Sequence, residues 1–150
     1  MNNKTRNIKA VLLGLLVVSV VAFIWTNAFL DSEESHKLSD IILKWLFPNG
    51  GKDSGNDNSF WVRKAAHFIE YAVLGGSVGC VAVFMRNNFG KFFAGFSLFG
   101  ILWVAVIDEF IQSFSDRTSL VADILLDFGG AVTGLCLAVA AVLVLKRIRK

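Results

Sequence analysis

The chain's 150 residues include only two cysteines, two histidines and one proline. Gly75-Gly76-Ser77-Val78-Gly79 has Gly-x-Ser-x-Gly spacing, but it lies inside an apolar run and not at a strand-to-helix turn, so no serine nucleophile is recognised. Cys80 and Cys136 both fall inside apolar runs. They read as small buried hydrophobes, neither a disulfide nor a metal pair nor a reactive thiol. His36 lies in a polar loop, so His67 would stand alone among carboxylates in any metal site. Charge is scarce as well, at 18% of residues with a net value of +3. That value does not suggest nucleic acid as a partner, because the basic residues sit in short clusters against apolar runs.

What the chain has is hydrophobicity, 55% of residues with 14 Phe and 4 Trp. The charges fall in short blocks, separated by apolar stretches of about 20 residues, the length that crosses about 30 Å of hydrocarbon. Four spans are predicted, at about 10–30, 65–85, 92–114 and 121–145. The fold class is therefore an all-α membrane protein with four transmembrane helices, in a single transmembrane domain over 1–150. The first run has a basic start, but it is too long for a signal-peptide core and "IWTNAFLDSEE" is a poor cleavage site, so it is kept as a span.

With both termini in the cytoplasm, nine of the fifteen Lys and Arg fall in short inside segments, a bias that sets orientation. The outer loop is then 31–62. In it Leu38, Ile41, Ile42, Trp45 and Leu46 share one helical face, Asp31 and Glu34 have capping-box spacing, and Pro48 ends the pattern. A short amphipathic interfacial helix, or a lid packed on the bundle, fits equally well. "NGGKDSGNDNS" after it reads as a polar linker.

The unusual stretch is "RKAAHFIEYAVLGG" at 63–76, which opens an apolar span with hydrogen-bonding groups. His67, Tyr71 and Gly75 recur at i, i+4, i+8, with Glu70 beside them. Span three runs the other way and ends in "VIDEFIQ", which carries Asp108, Glu109 and Gln112. Span four begins with Asp123, Asp127, Gly130 and Gly134 on one stripe, and its G-x-x-x-G permits close helix approach. Three distant motifs thus reach one depth on one side of the membrane, with Arg63, Lys64 and Arg117 set against five carboxylates. Ionisable groups at that depth are costly and mark function by default.

"VRKAAHFIEYAVLG" at 62–75 and "DEFIQSFSDRTSLVADILLDFGGAVTG" at 108–134 resemble the two signatures of the VanZ-like family of small membrane proteins. The resemblance covers about 25–145. Its signature positions here are Lys64, His67, Glu70, Tyr71, Gly75, Asp108, Glu109, Gln112, Arg117, Asp123, Gly130 and Gly134. The family often has Asn where this chain has Asp127, and Pro or Gly just before the arginine, where this chain has Asp116. The resemblance implies a bacterial cytoplasmic membrane and a link to low-level resistance to teicoplanin, a lipoglycopeptide acting outside the cell. It brings no settled activity, so no residue roles are carried over.

The favoured function is an outward-facing intramembrane pocket that binds or modulates a membrane lipid, a lipid-linked wall precursor or a lipoglycopeptide. Its binding candidates are Lys64, His67, Glu70, Tyr71, Asp108, Glu109, Gln112, Arg117, Asp123 and Asp127. The first alternative is an intramembrane enzyme acting on such a lipid, with His67 as general base and Glu70 or Asp108 orienting it. The second is a salt-bridge network that only ties the helices together. A divalent-cation variant would draw on His67, Glu70, Asp108 and Asp123, with Asp127 nearby, but a lone histidine supports it weakly. No cofactor is expected, and the residues carry no signal of oligomeric state.

Overall fold

A computed structural model describes residues 2–29, 41, 55–90, 94–114 and 121–148, and among them every regular element is helical. The four helices are α1 (Asn3–Ala28), α2 (Gly55–Phe89), α3 (Ala94–Gln112) and α4 (Val121–Ile148). All four contain a segment long and apolar enough to cross a membrane. The predicted amphipathic helix of the outer loop lies outside the described residues.

Local chemistry accounts for where the helices begin and end. Asn2, in extended backbone, caps α1 by accepting from the Lys4 N–H at 3.3 Å. α2 stops at Gly90, whose φ of 65° suits glycine and whose N–H bonds the Arg86 carbonyl at 3.1 Å. α4 carries Asp123 in its first turn and Lys146 and Arg147 in its last, each charge opposing the helix dipole. Hydroxyls inside the apolar segments bond back to their own helix: Ser77 to the Val73 carbonyl at 2.8 Å, and Thr133 to that of Gly129 at 2.8 Å. In lipid such groups have no water to turn to.

α2 reaches well past both ends of the predicted 65–85. At 1.5 Å per residue its membrane-crossing part, Trp61–Phe89, is about 44 Å long, more than the hydrocarbon requires. Arg63, Lys64 and His67 lie in the first two turns of this segment.

Packing centres on α2 and α4, which share the most extensive interface and run parallel. Phe68 meets Gly130, Ala72 meets Gly134, and Gly75 meets Ala131. A Cβ at Gly75 would overlap the Ala131 carbonyl, and one at Gly134 would overlap that of Ala72, so backbone lies on backbone. Gly79 continues the contact, since a Cβ there would sit 3.0 Å from that of Ala138. The small-residue stripe anticipated on α4 is therefore answered by a second one, Gly75 and Gly79, on α2.

The flanking helices are antiparallel to this pair. At one end of the bundle the Arg6 guanidinium lies 4.9 Å from the centre of the Phe89 ring, and Lys146 donates to Asn87 at 2.7 Å. The start of α1 and the ends of α2 and α4 thus share one basic end. α3 lies across α1, with the Trp25 indole 3.5 Å from the Val104 carbonyl. The buried apolar core is small, made of Ile24, Tyr71, Leu74, Ile101, Ala105 and Ala131.

Many large apolar side chains point away from the bundle, among them Val11, Leu15, Phe96, Phe99, Trp103 and Leu137. This is the pattern of helices solvated by lipid. Cys80 and Cys136 belong to the same surface. Both are free and exposed on the bundle, which corrects the expectation that they are buried. Their runs are apolar all round, so hydrophobicity alone did not say which face met a neighbour.

Candidate functional site

The polar side chains gather at the opposite end from the termini. Asp108, Glu109 and Gln112 of α3 and Asp127 of α4 are all buried, with Asp108 fully so and Asp127 at 2% exposure. Adjacent residues on a helix point about 100° apart, yet both Asp108 and Glu109 are covered, because α3 is wedged between neighbours at this end.

Four hydrogen bonds or ion pairs define the geometry. Lys64 of α2 pairs with Asp123 of α4. Gln112 donates to Asp108 Oδ2 at 3.0 Å, one turn away on the same helix. His67 Nδ1 stands 3.8 Å from Glu70 Oε2. Asn27, at the end of α1, donates to Glu70 Oε1 at 2.9 Å and ties the first helix to the second. The Tyr71 hydroxyl lies beside the Asp108 carboxylate without the alignment of a hydrogen bond.

Several buried polar atoms find no hydrogen-bond partner among the described residues: Tyr71 Oη, Asp108 Oδ1, Glu109 Oε2 and Asp127 Oδ1. Each such group costs about 1–3 kcal/mol, and more when charged. Helix ties built only for stability would spend their lone pairs on partners. Lys64 is already engaged by Asp123, and the carboxylates outnumber the cations of the described cluster.

A small pocket opens among these groups, lined by Arg63, Lys64, His67, Glu109, Gln112, Asp123, Leu126 and Asp127. Its volume is about 20 Å³, room for a single water or ion. A second cavity, a wholly apolar groove of about 350 Å³, lies between α1 and α2. It is lined by Ser19, Val20, Phe23, Ile69 and Val73 and reaches Glu70.

The structure therefore brings together Lys64, His67, Glu109, Gln112, Asp123 and Asp127 around the pocket, with Asp108 and Tyr71 buried among the helices. Glu70 is held on the α1 side, between His67 and Asn27. Arg117 lies outside the described residues. Asn27 and Gly79 were not anticipated. The amide of Asn27 was legible as a polar residue at the end of an apolar span, and Gly75-x-x-x-Gly79 as a helix-packing motif.

The model of the family described as VanZ/LLP1 matches residues 10–145, nearly the whole chain. The chain belongs to the VanZ/LLP1 family. No curated protein and no solved structure matches it. The polar residues that converge in this VanZ/LLP1 protein all lie within the matched range, as do the glycines that seat α2 on α4.

Proposed function

We propose that this VanZ/LLP1 protein binds an envelope amphiphile at the outer face of the bacterial cytoplasmic membrane, with both termini inside. The orientation follows from the basic end, where Arg6, Arg86, Lys146 and Arg147 collect on the side of the termini. The observation that carries the reading is that two cavities lie one helical turn apart on α2, one lined by Glu70 and the other by His67. The apolar groove between α1 and α2 has Glu70 in its lining, and His67, one turn before it, lines the polar pocket. A molecule with an acyl or polyprenyl chain in the groove would present its head at the pocket mouth. There Arg63, with the Lys64–Asp123 pair beside it, offers positive charge to phosphate or carboxylate, while Glu109 and the Gln112 carbonyl accept from hydroxyls or amines. Membrane lipids, lipid-linked wall precursors and lipoglycopeptides of the teicoplanin type all have this build.

The test is native mass spectrometry of the full chain released from lipid nanodiscs. The expected result is a co-purified amphiphile, whose mass tells the three sources apart. Val73→Trp, which fills the groove, and Asp127→Asn, which alters the pocket, should each lower its retention. Equal retention in both variants would overturn the reading.

The His67–Glu70 pair supports a second reading, a lipid-directed enzyme with His67 as general base. Conversion of the retained amphiphile by the wild type but not by His67→Gln would favour it over binding alone.

A further inference from the structure

We propose that His67, Asp108 and Asp127 form a site for one divalent transition-metal ion, of the zinc or manganese type. One ligand atom from each of the three lies within 4.8 Å of the others. Bonds of about 2.0–2.2 Å to one ion place ligand atoms roughly 3–4.5 Å apart, so small side-chain rotations complete the set. The three come from three different helices, α2, α3 and α4, which hold the positions rigidly.

The carboxylates are prepared for a cation. Asp108 is fully buried and Asp127 is 2% exposed, and each has an Oδ1 with no hydrogen-bond partner among the described residues. Gln112 holds the other oxygen of Asp108 at 3.0 Å, the outer support that orients a ligating carboxylate. Glu70 stands 3.8 Å from His67 Nδ1, where a carboxylate can steady a ligating imidazole. Two buried carboxylates this close repel when both ionise, and an ion between them relieves both the repulsion and the missing bonds. Space decides the size of the occupant, since the adjoining pocket of about 20 Å³ takes one ion or water and no headgroup.

The donor set decides the class. One imidazole with two carboxylates suits zinc or manganese, whereas magnesium and calcium favour oxygen alone. Of the residues weighed from sequence for such a site, Glu70 is held by Asn27 and Asp123 by Lys64, and Asp127 takes the place they leave. Three protein ligands leave positions open to water or a phosphate oxygen. The site stands without the amphiphile reading.

The experiment uses the full chain in nanodiscs, stripped with EDTA and titrated with Zn²⁺ or Mn²⁺. Bound metal is read by elemental analysis, and affinity by calorimetry. One ion per chain is expected, with a higher unfolding temperature in the loaded wild type. Asp108→Asn, Asp127→Asn and His67→Gln should each weaken binding at least tenfold, while His36→Gln, the other histidine, should leave it unchanged. A wild type that takes up neither ion and shows no thermal shift overturns the proposal without recourse to any variant. Equal binding in Asp108→Asn and Asp127→Asn, or loss in His36→Gln, also overturns it. Metal uptake with no amphiphile retained would sink only the lipid reading, and the reverse would sink only the ion site.

Discussion

Asn27 donates its amide to Glu70 Oε1 at 2.9 Å, joining the end of α1 to the third turn of the membrane-crossing part of α2. Its acceptor, Glu70, lines the apolar groove and stands 3.8 Å from His67 of the polar cluster. α1 fully buries only Ile24 and Ala28, and its other polar ties include the contacts of Trp25 with Val104 and of Arg6 with Phe89.

Asn27→Ala should lower stability by about 1–2 kcal/mol, the upper range for an interhelical hydrogen bond in a membrane. Asn27→Asp should cost more, because it sets one carboxylate against another. Unfolding midpoints in nanodiscs check the order: wild type, then Asn27→Ala, then Asn27→Asp.

Two adjacent glycines should respond differently to the same methyl group. At Gly75 an added Cβ overlaps the Ala131 carbonyl, which is backbone and has nowhere to move. At Gly76 its nearest neighbour is the Gly134 carbonyl at 3.7 Å, an ordinary contact. Gly75→Ala should cost about 1–3 kcal/mol or more as overpacking and lower the amount of protein in the membrane. Gly76→Ala should leave it within about 0.5 kcal/mol of wild type. Paired expression levels and melting curves measure the contrast.

The buried carboxylates give a test that separates a site from a scaffold. In a scaffold, Asp127→Asn strands a partner, at a cost of about 3–5 kcal/mol. In a site, Asp127 carries an unpartnered buried oxygen, and its replacement should raise stability by about 0.5–2 kcal/mol while function falls. The expected outcome is a metal-free Asp127→Asn variant that melts higher than the metal-free wild type. His67→Gln should accumulate normally yet abolish any glycopeptide-related phenotype. A joint fall of abundance and phenotype in both variants would favour the scaffold.

Topology is checked by thiol labelling in a Cys80→Ala, Cys136→Ala background. Both cysteines are exposed on the bundle, so their removal keeps the background clean. A cysteine at Ser54 should label in intact cells, and one at Lys150 only after permeabilisation. Labelling of Lys150→Cys in intact cells would move the polar cluster to the inner face.

The four helices were legible in the sequence because a membrane span needs only length and apolarity, both local properties. The depth of His67, Asp108 and Asp127 was legible for the same reason, since 1.5 Å of rise per residue converts position into height. The family was legible too, in the two signatures now covered by the match over 10–145. Rotation about a helix axis was legible only where small or polar residues marked a face, as along Asp127, Gly130 and Gly134. α2 and α4 are apolar on nearly every side, so nothing local told Cys80 and Cys136 that they face outward, or Gly79 that it faces α4. Partner choice was likewise beyond reach. Lys64 could have met any of five carboxylates, and only the parallel seating of α2 on α4 gave it Asp123. Once that pair formed and Asn27 held Glu70, Asp108 and Asp127 were left facing His67. The sequence by itself determined how many spans there are and at what depth their charges lie, because both follow from the chain's own rise and hydrophobicity. Tertiary structure decided which charges neutralise one another and which stay open, because pairing depends on helix rotation and register, and these are settled where glycine lets backbones touch.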